Sequence, residues 1–213
     1  MLLGSLVGKK IVMAVTGLIL FGFIVAHLLG NLQVFLGPER LNSYSAFLKS
    51  LGELLWVARI VLIISFVVHT ILSIQVSRAN RAARPRSYQQ ACSLETTFAA
   101  RSMMFGGPMI LLYIIYHLLM FTFLTTGPGY SPTDVYTNVV SAFRVPMISG
   151  VYILAMIFLG LHLYHGSWSM LQTLGLGSPA SERFRRVAAP AVAIGVAGGY
   201  IVIPVAILAG WVG

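Results

Sequence analysis

Five long, predominantly apolar runs divide this chain, at 11–36, 54–76, 103–126, 145–171 and 187–212. Each is long enough to cross the roughly 30 Å hydrocarbon core of a bilayer as a helix. Of the 213 residues, 58% are hydrophobic and only 9% are charged, whereas a soluble domain carries about 25% charged residues. The mean hydropathy is +0.88. The sequence therefore predicts an all-α integral membrane bundle of five transmembrane helices, with residues 1–213 forming one unit. The first run follows Lys9 and Lys10 but is too long for the apolar core of a signal peptide and lacks a small-x-small cleavage site, so it is expected to be retained.

The net charge of +9 is carried between the runs instead of along one face, which excludes nucleic acid as the expected partner. If the five spans alternate, Lys9, Lys10, Arg78, Arg81, Arg84, Arg86, Arg101, Arg183, Arg185 and Arg186 share one side, leaving Arg40, Lys49, Arg59 and Arg144 on or near the other. Positive-inside topology then puts the N-terminus in the cytoplasm and the C-terminus outside. Trp56 and Trp211 fall near the outer interface and Trp168 near the inner one. Leu41, Tyr44, Phe47, Leu48 and Leu51 recur at helical spacing and predict a short amphipathic helix on the outer surface. Gly127, Pro128, Gly129 and Pro132 predict a turn-rich outer connection.

A single cysteine, Cys92, excludes an intramolecular disulfide and any cysteine-held iron–sulfur cluster built by this chain alone. No Cys-x-x-Cys-His or Gly-x-Gly-x-x-Gly is present, which excludes covalent c-type attachment of a cofactor and assigns flavin or nicotinamide chemistry to another polypeptide.

Ionisable residues within membrane spans are costly and by default functional. His27, His69, His117 and His162 fall one to each of the first four spans. Counting along the helices gives their depths. His27 is 17 residues beyond Lys10 and His117 is 16 beyond Arg101, which puts both roughly 24–26 Å from the cytoplasmic flank. His69 lies nine residues before Arg78, and His162 lies 18 beyond the outer Arg144, which puts these two in the inner half. Two levels result, an outer pair His27/His117 and an inner pair His69/His162. A single intramembrane histidine has an ordinary alternative, a hydrogen bond between helices. Four at two matched depths point instead to two haem irons, each with two axial imidazoles. Gly30 and Gly166, one turn from His27 and His162, are expected to leave room for a porphyrin edge. Gly195 and Gly199 form a small-xxx-small face suited to helix packing. Arg59, inside the second span, either snorkels outward or neutralises an outer-haem propionate. His165, about one turn from His162, is open to three readings: the ligand in its place, a partner for propionate or quinone, or an interfacial residue.

The segments His27-Leu-Leu-Gly-Asn-Leu-Gln, Ile115-Tyr-His117 and His162-Leu-Tyr-His-Gly-Ser-Trp168, set in five spans of this order, resemble the di-haem cytochrome b subunit of bacterial succinate dehydrogenases and fumarate reductases. The resemblance covers nearly the whole chain and favours His162 over His165 as ligand. It implies a respiratory complex II anchor in the bacterial cytoplasmic membrane, carrying two b haems and holding a flavoprotein subunit with FAD and an iron–sulfur subunit on its cytoplasmic face. Electrons from succinate, an intermediate of the tricarboxylic acid cycle, would pass to membrane quinone, with menaquinone the expected species; some members run toward fumarate.

A quinone pocket needs apolar walls and a few hydrogen-bonding groups near water. Asn31, Gln33 and Glu53 are the outer candidates and Ser73, Gln75 and His165 the inner ones. The loop from Arg78 to Arg101 and the segment Arg183, Arg185 and Arg186 are expected to face the soluble partners, where arginines either steer acidic groups or simply fix topology. Two other functions remain open: the di-haem cytochrome b of a hydrogenase or formate dehydrogenase, and a haem-free scaffold or transporter whose histidines bind protons or metal.

Overall fold

The structure is a computed structural model that describes residues 2–83, 98–126, 131–175 and 177–213, with backbone alone for 2 and 98–101. Cys92, Arg84, Arg86 and the turn at Gly127–Gly129 lie outside the described residues. Among the described residues every regular element is a helix: α1 (Leu6–Asn31), α2 (Pro38–Ser50), α3 (Glu53–Ala82), α4 (Phe98–Phe121), α5 (Val135–Phe143), α6 (Pro146–Thr173) and α7 (Pro179–Leu208). Short 3₁₀ turns occupy Leu2–Gly4 and Leu32–Leu36. Helices α1, α3, α4, α6 and α7 are long and apolar enough to cross a membrane.

Local chemistry sets the helix ends. Ser5 caps α1 by accepting the Gly8 N–H at 3.0 Å, and Asp134 caps α5 by accepting the Thr137 N–H at 3.1 Å. Pro38, Pro146 and Pro179 open α2, α6 and α7, where the missing N–H has no intrahelical partner to lose. Gly37 and Gly52, with φ of 93° and 53°, make the two bends that fold α2 back between α1 and α3.

The five long helices alternate in direction. The end of the bundle at which α1 begins is called the near end, and α2 and α5 lie together at the far end, where Asn42 of α2 bonds Asp134 and the Tyr136 N–H. The most extensive packing is between α6 and α7, where a Cβ on Gly160 would stand 3.1 Å from that of Ala197. Leu28, Ala155, Met156, Leu159, Leu163, Ala193 and Val196 form the core between α1, α6 and α7. Helix α3 packs chiefly on α1, and α4 on α6. The outer surfaces of these helices display large apolar side chains, including Ile64, Leu112 and Ile194, which suits contact with lipid and not with water.

Some boundaries differ from those expected. The first span finishes as a 3₁₀ turn after Asn31, the third ends at Phe121 instead of 126, and the fifth begins at Pro179 instead of 187. The polar stretch Ser181–Arg186 forms the first turns of α7: Arg183 and Arg186 are exposed at the helix end, where solvent meets their charges, and Arg185 turns inward. Helix α5 has no counterpart among the elements expected from the sequence; its nine residues are too few to show a helical period of their own.

Candidate functional site

All five histidines line one partly open cavity of about 2650 Å³ between α1, α3, α4, α6 and α7, which reaches α2 and α5 at the far end. Single-ligand pockets are typically about 300–1,000 Å³, so this space is large enough for more than one cofactor-sized molecule. Its walls are mainly apolar, with Leu20, Ile24, Phe66, Ile110, Met156 and Leu159 among them. A shallower depression of about 560 Å³ over the start of α2 is lined by Leu36, Pro38, Glu39, Asn42 and Ser43 and holds no histidine.

The histidines meet in two pairs. His27 of α1 and His117 of α4 face each other with ring centroids 5.8 Å apart and planes at 83°. His69 of α3 and His162 of α6 stand 6.2 Å apart at 57°. An imidazole nitrogen binds a first-row metal ion at about 2.0–2.1 Å, and with the depth of the two rings added, a pair sharing one metal has centroids roughly 6 Å apart. Both pairs have the spacing for a single ion between them. The far pair and the near pair are separated by ten residues along α6, from Tyr152 beside His117 to His162, a rise of about 15 Å.

One imidazole in each pair is held from behind. His69 Nδ1 lies 3.0 Å from the Met13 carbonyl and 3.4 Å from the Thr16 hydroxyl, and its ring rests on Gly17, where a Cβ would be 3.1 Å from Cε1. A carbonyl only accepts, so Nδ1 carries the proton and Nε2 the lone pair. His117 Nδ1 lies 3.2 Å from the Tyr152 hydroxyl, which donates to the Met120 sulfur at 3.5 Å. Met120 is fully buried, and Tyr152, buried at the cavity wall, packs among Tyr113, Tyr116, Phe121 and Phe143. His162 Nδ1 is buried and has no hydrogen-bond partner among the described residues, so a buried polar atom there awaits another group.

The remaining candidates are scattered. Arg59 lines the cavity with its guanidinium 5.0 Å above the Trp56 ring, on an exposed stretch of α3. Asn31 also lines the cavity, yet its amide donates to the His27 carbonyl at 2.7 Å, and the Ser73 hydroxyl bonds the Thr70 carbonyl at 2.8 Å. His165 is half-buried on the cavity wall one turn beyond His162. Gln33, Glu53 and Gln75 do not line it; Glu53 is exposed in the first turn of α3, where its charge favours the helix N-terminus.

Gly30, Gly195 and Arg185 depart from what the sequence leads one to expect, whereas Gly166 and Gly199 do not. Gly30 leaves room for Tyr44 of α2, not for a cofactor edge: a Cβ there would stand 2.6 Å from the Tyr44 ring. Gly166 faces open space on the cavity wall. On α7, Gly199 admits Leu28 of α1 closely, since a Cβ at this glycine would stand 2.9 Å from Leu28 Cδ2, while Gly195 faces open space. Arg185 does not face outward toward a partner. It is 4% exposed, lies 4.7 Å over the Trp168 ring and donates to the Gly177 carbonyl at 3.4 Å. Arg186 pairs with Glu182 at 2.6 Å, and Arg183 is exposed.

Comparison of the chain with protein-family models, curated proteins and solved structures finds no match.

Proposed function

We propose that this chain is the membrane-anchor cytochrome b subunit of a bacterial succinate:quinone oxidoreductase, with one haem b between His27 and His117 and a second between His69 and His162. The observation that carries the reading is the meeting of two imidazole pairs, 5.8 and 6.2 Å apart, at two levels of one large apolar cavity. Iron held by two imidazoles supplies one-electron exchange. The chain's own contribution is position: four helices each bring one histidine, the walls around them are mainly apolar, and Arg59 offers a cation at the far end for a carboxylate.

The succinate assignment rests on the resemblance of the His27, His117 and His162 segments to the di-haem anchors. On this reading the near end is cytoplasmic and receives an iron–sulfur subunit, which is joined to a flavoprotein. Quinone, with menaquinone the expected species, exchanges electrons either at a far-end site that includes Asn31 or at a near-end site that includes Ser73 and His165, the polar candidates that reach the cavity.

Purification of the complete complex from its native membrane tests both layers. A reduced-minus-oxidised spectrum and pyridine haemochrome assay should give two non-covalent haems per chain, and the co-purifying subunits should be a flavoprotein and an iron–sulfur protein with succinate-to-quinone activity. A well-folded complex without haem would overturn the cytochrome assignment. Two haems beside hydrogenase or formate dehydrogenase subunits would replace the succinate assignment alone.

A further inference from the structure

Resting on the two-haem reading, the geometry points to Tyr152 and the Met13 carbonyl as positioning groups that fix the metal-binding tautomer of His117 and His69, one imidazole in each pair, so that the two haems are tuned separately.

A neutral imidazole has one N–H and one lone pair. Whichever nitrogen gives its proton to a neighbour leaves the other as the ligand, and the hydrogen bond also fixes the ring's orientation and raises the basicity of the ligand nitrogen. At His69 the neighbour is a backbone carbonyl, 3.0 Å away. Gly17 gives the ring its seat, since any larger residue would push against Cε1 and Nδ1. At His117 the neighbour is a phenol oxygen, 3.2 Å away, whose own proton is directed at the Met120 sulfur.

The arrangement is crosswise. Helix α1 carries the far-level His27 and, 14 residues earlier, the near-level Met13; α6 carries the near-level His162 and, ten residues earlier, the far-level Tyr152. Since α1 and α6 run in opposite directions, each provides a free imidazole at one level and the anchor for the opposite imidazole at the other. Helices α3 and α4 bring the two anchored rings. Neither anchor touches the other pair, so loss of one leaves the other haem's surroundings intact.

A stronger hydrogen bond from Nδ1–H makes the ligand nitrogen more electron-donating and favours ferric iron, which lowers the reduction potential. Tyr152→Phe keeps the ring packing and deletes the acceptor. In the purified complex this variant should retain two haems, shift upward the midpoint potential of the component that His117→Ala abolishes, and change that component's ferric low-spin electron paramagnetic resonance signal, leaving the other component unmoved. Unchanged potentials and spectra, or equal shifts in both components, would overturn the proposal. Gly17→Ala is the reciprocal test: it should raise the potential of the component abolished by His69→Ala and leave the other in place. Should Tyr152→Phe fail to accumulate, an unchanged near-level potential in Gly17→Ala is sufficient to refute the anchoring rule. Absence of haem from the wild-type complex would instead refute the cytochrome reading itself.

Discussion

The guanidinium of Arg185 lies 4.7 Å above the ring of Trp168, and the arginine is only 4% exposed. This contact ties the start of α7 to the end of α6 and divides the arginines at the near end into two kinds. Arg183 is exposed and is free to meet an acidic partner, whereas Arg185 is part of the bundle. A desolvated cation–π contact contributes about 2 kcal/mol, and a buried charge left without a partner costs several kcal/mol. Arg185→Glu should therefore lower the thermal midpoint and the yield in detergent, while Arg183→Glu should leave both unchanged and weaken retention of the proposed soluble partners. Wild-type melting of Arg185→Glu would show that the contact does not stabilise the helix pair.

The pairing of histidines makes a spectral prediction. If each pair holds a haem as proposed, His27→Ala and His117→Ala should each remove the same haem component, and His69→Ala and His162→Ala the other, because each pair has the spacing for one metal ion. His165→Ala should keep both components, since His165 belongs to neither close ring pair. Haem-resolved difference spectra of the five variants check this directly, and loss of a common component in His27→Ala and His69→Ala would contradict it.

What could be read from the sequence divides along physical lines. A bilayer demands a long apolar helix for each crossing, so the spans announced themselves, and a uniform rise per residue placed His27 level with His117 and His69 level with His162. The ends were less legible: Ser181–Arg186 is polar yet helical, and Val135–Phe143 is helical because Asp134 caps it and Asn42 of a distant segment bonds the Tyr136 N–H. The anchors were invisible for a different reason. The Met13 carbonyl is a backbone group that any residue supplies, and Tyr152 reads as one more aromatic in an apolar helix until the rotation of α6 brings it to His117. Gly30 shows the converse limit, since its position beside His27 suggested a cofactor edge and the neighbour is Tyr44, 14 residues along and folded back by Gly37.

That neighbour gives a packing prediction. Helix α2 rests on α1 where Tyr44 covers Gly30, and a methyl group there would overlap the ring. Overpacking of this kind costs about 1–3 kcal/mol. Gly30→Ala should lower the thermal midpoint, and Tyr44→Leu in the same chain should recover part of the loss, a coupling that a double-mutant cycle measures. Strict additivity of the two substitutions would show that the contact is not the cause.

The clamp between α2 and α5 should respond to acid. The Asp134 carboxylate accepts hydrogen bonds from Thr137 and from the Asn42 amide, and these hold its carboxyl below the usual carboxylate range. A lowered folded-state pKa means that the stabilisation is complete above the unfolded value of about 3.9 and is lost as the pH falls through the folded value. The wild-type protein should therefore lose thermal stability progressively below about pH 4 through this group. Asp134→Asn keeps an oxygen acceptor and has no proton to bind, so its melting curve should be lower than wild type at neutral pH and should lack this acid component. Measuring both thermal midpoints across that range isolates the carboxylate, because every other titrating group is common to the two chains. Parallel acid responses would mean that Asp134 does not link α2 to α5 in a pH-dependent way.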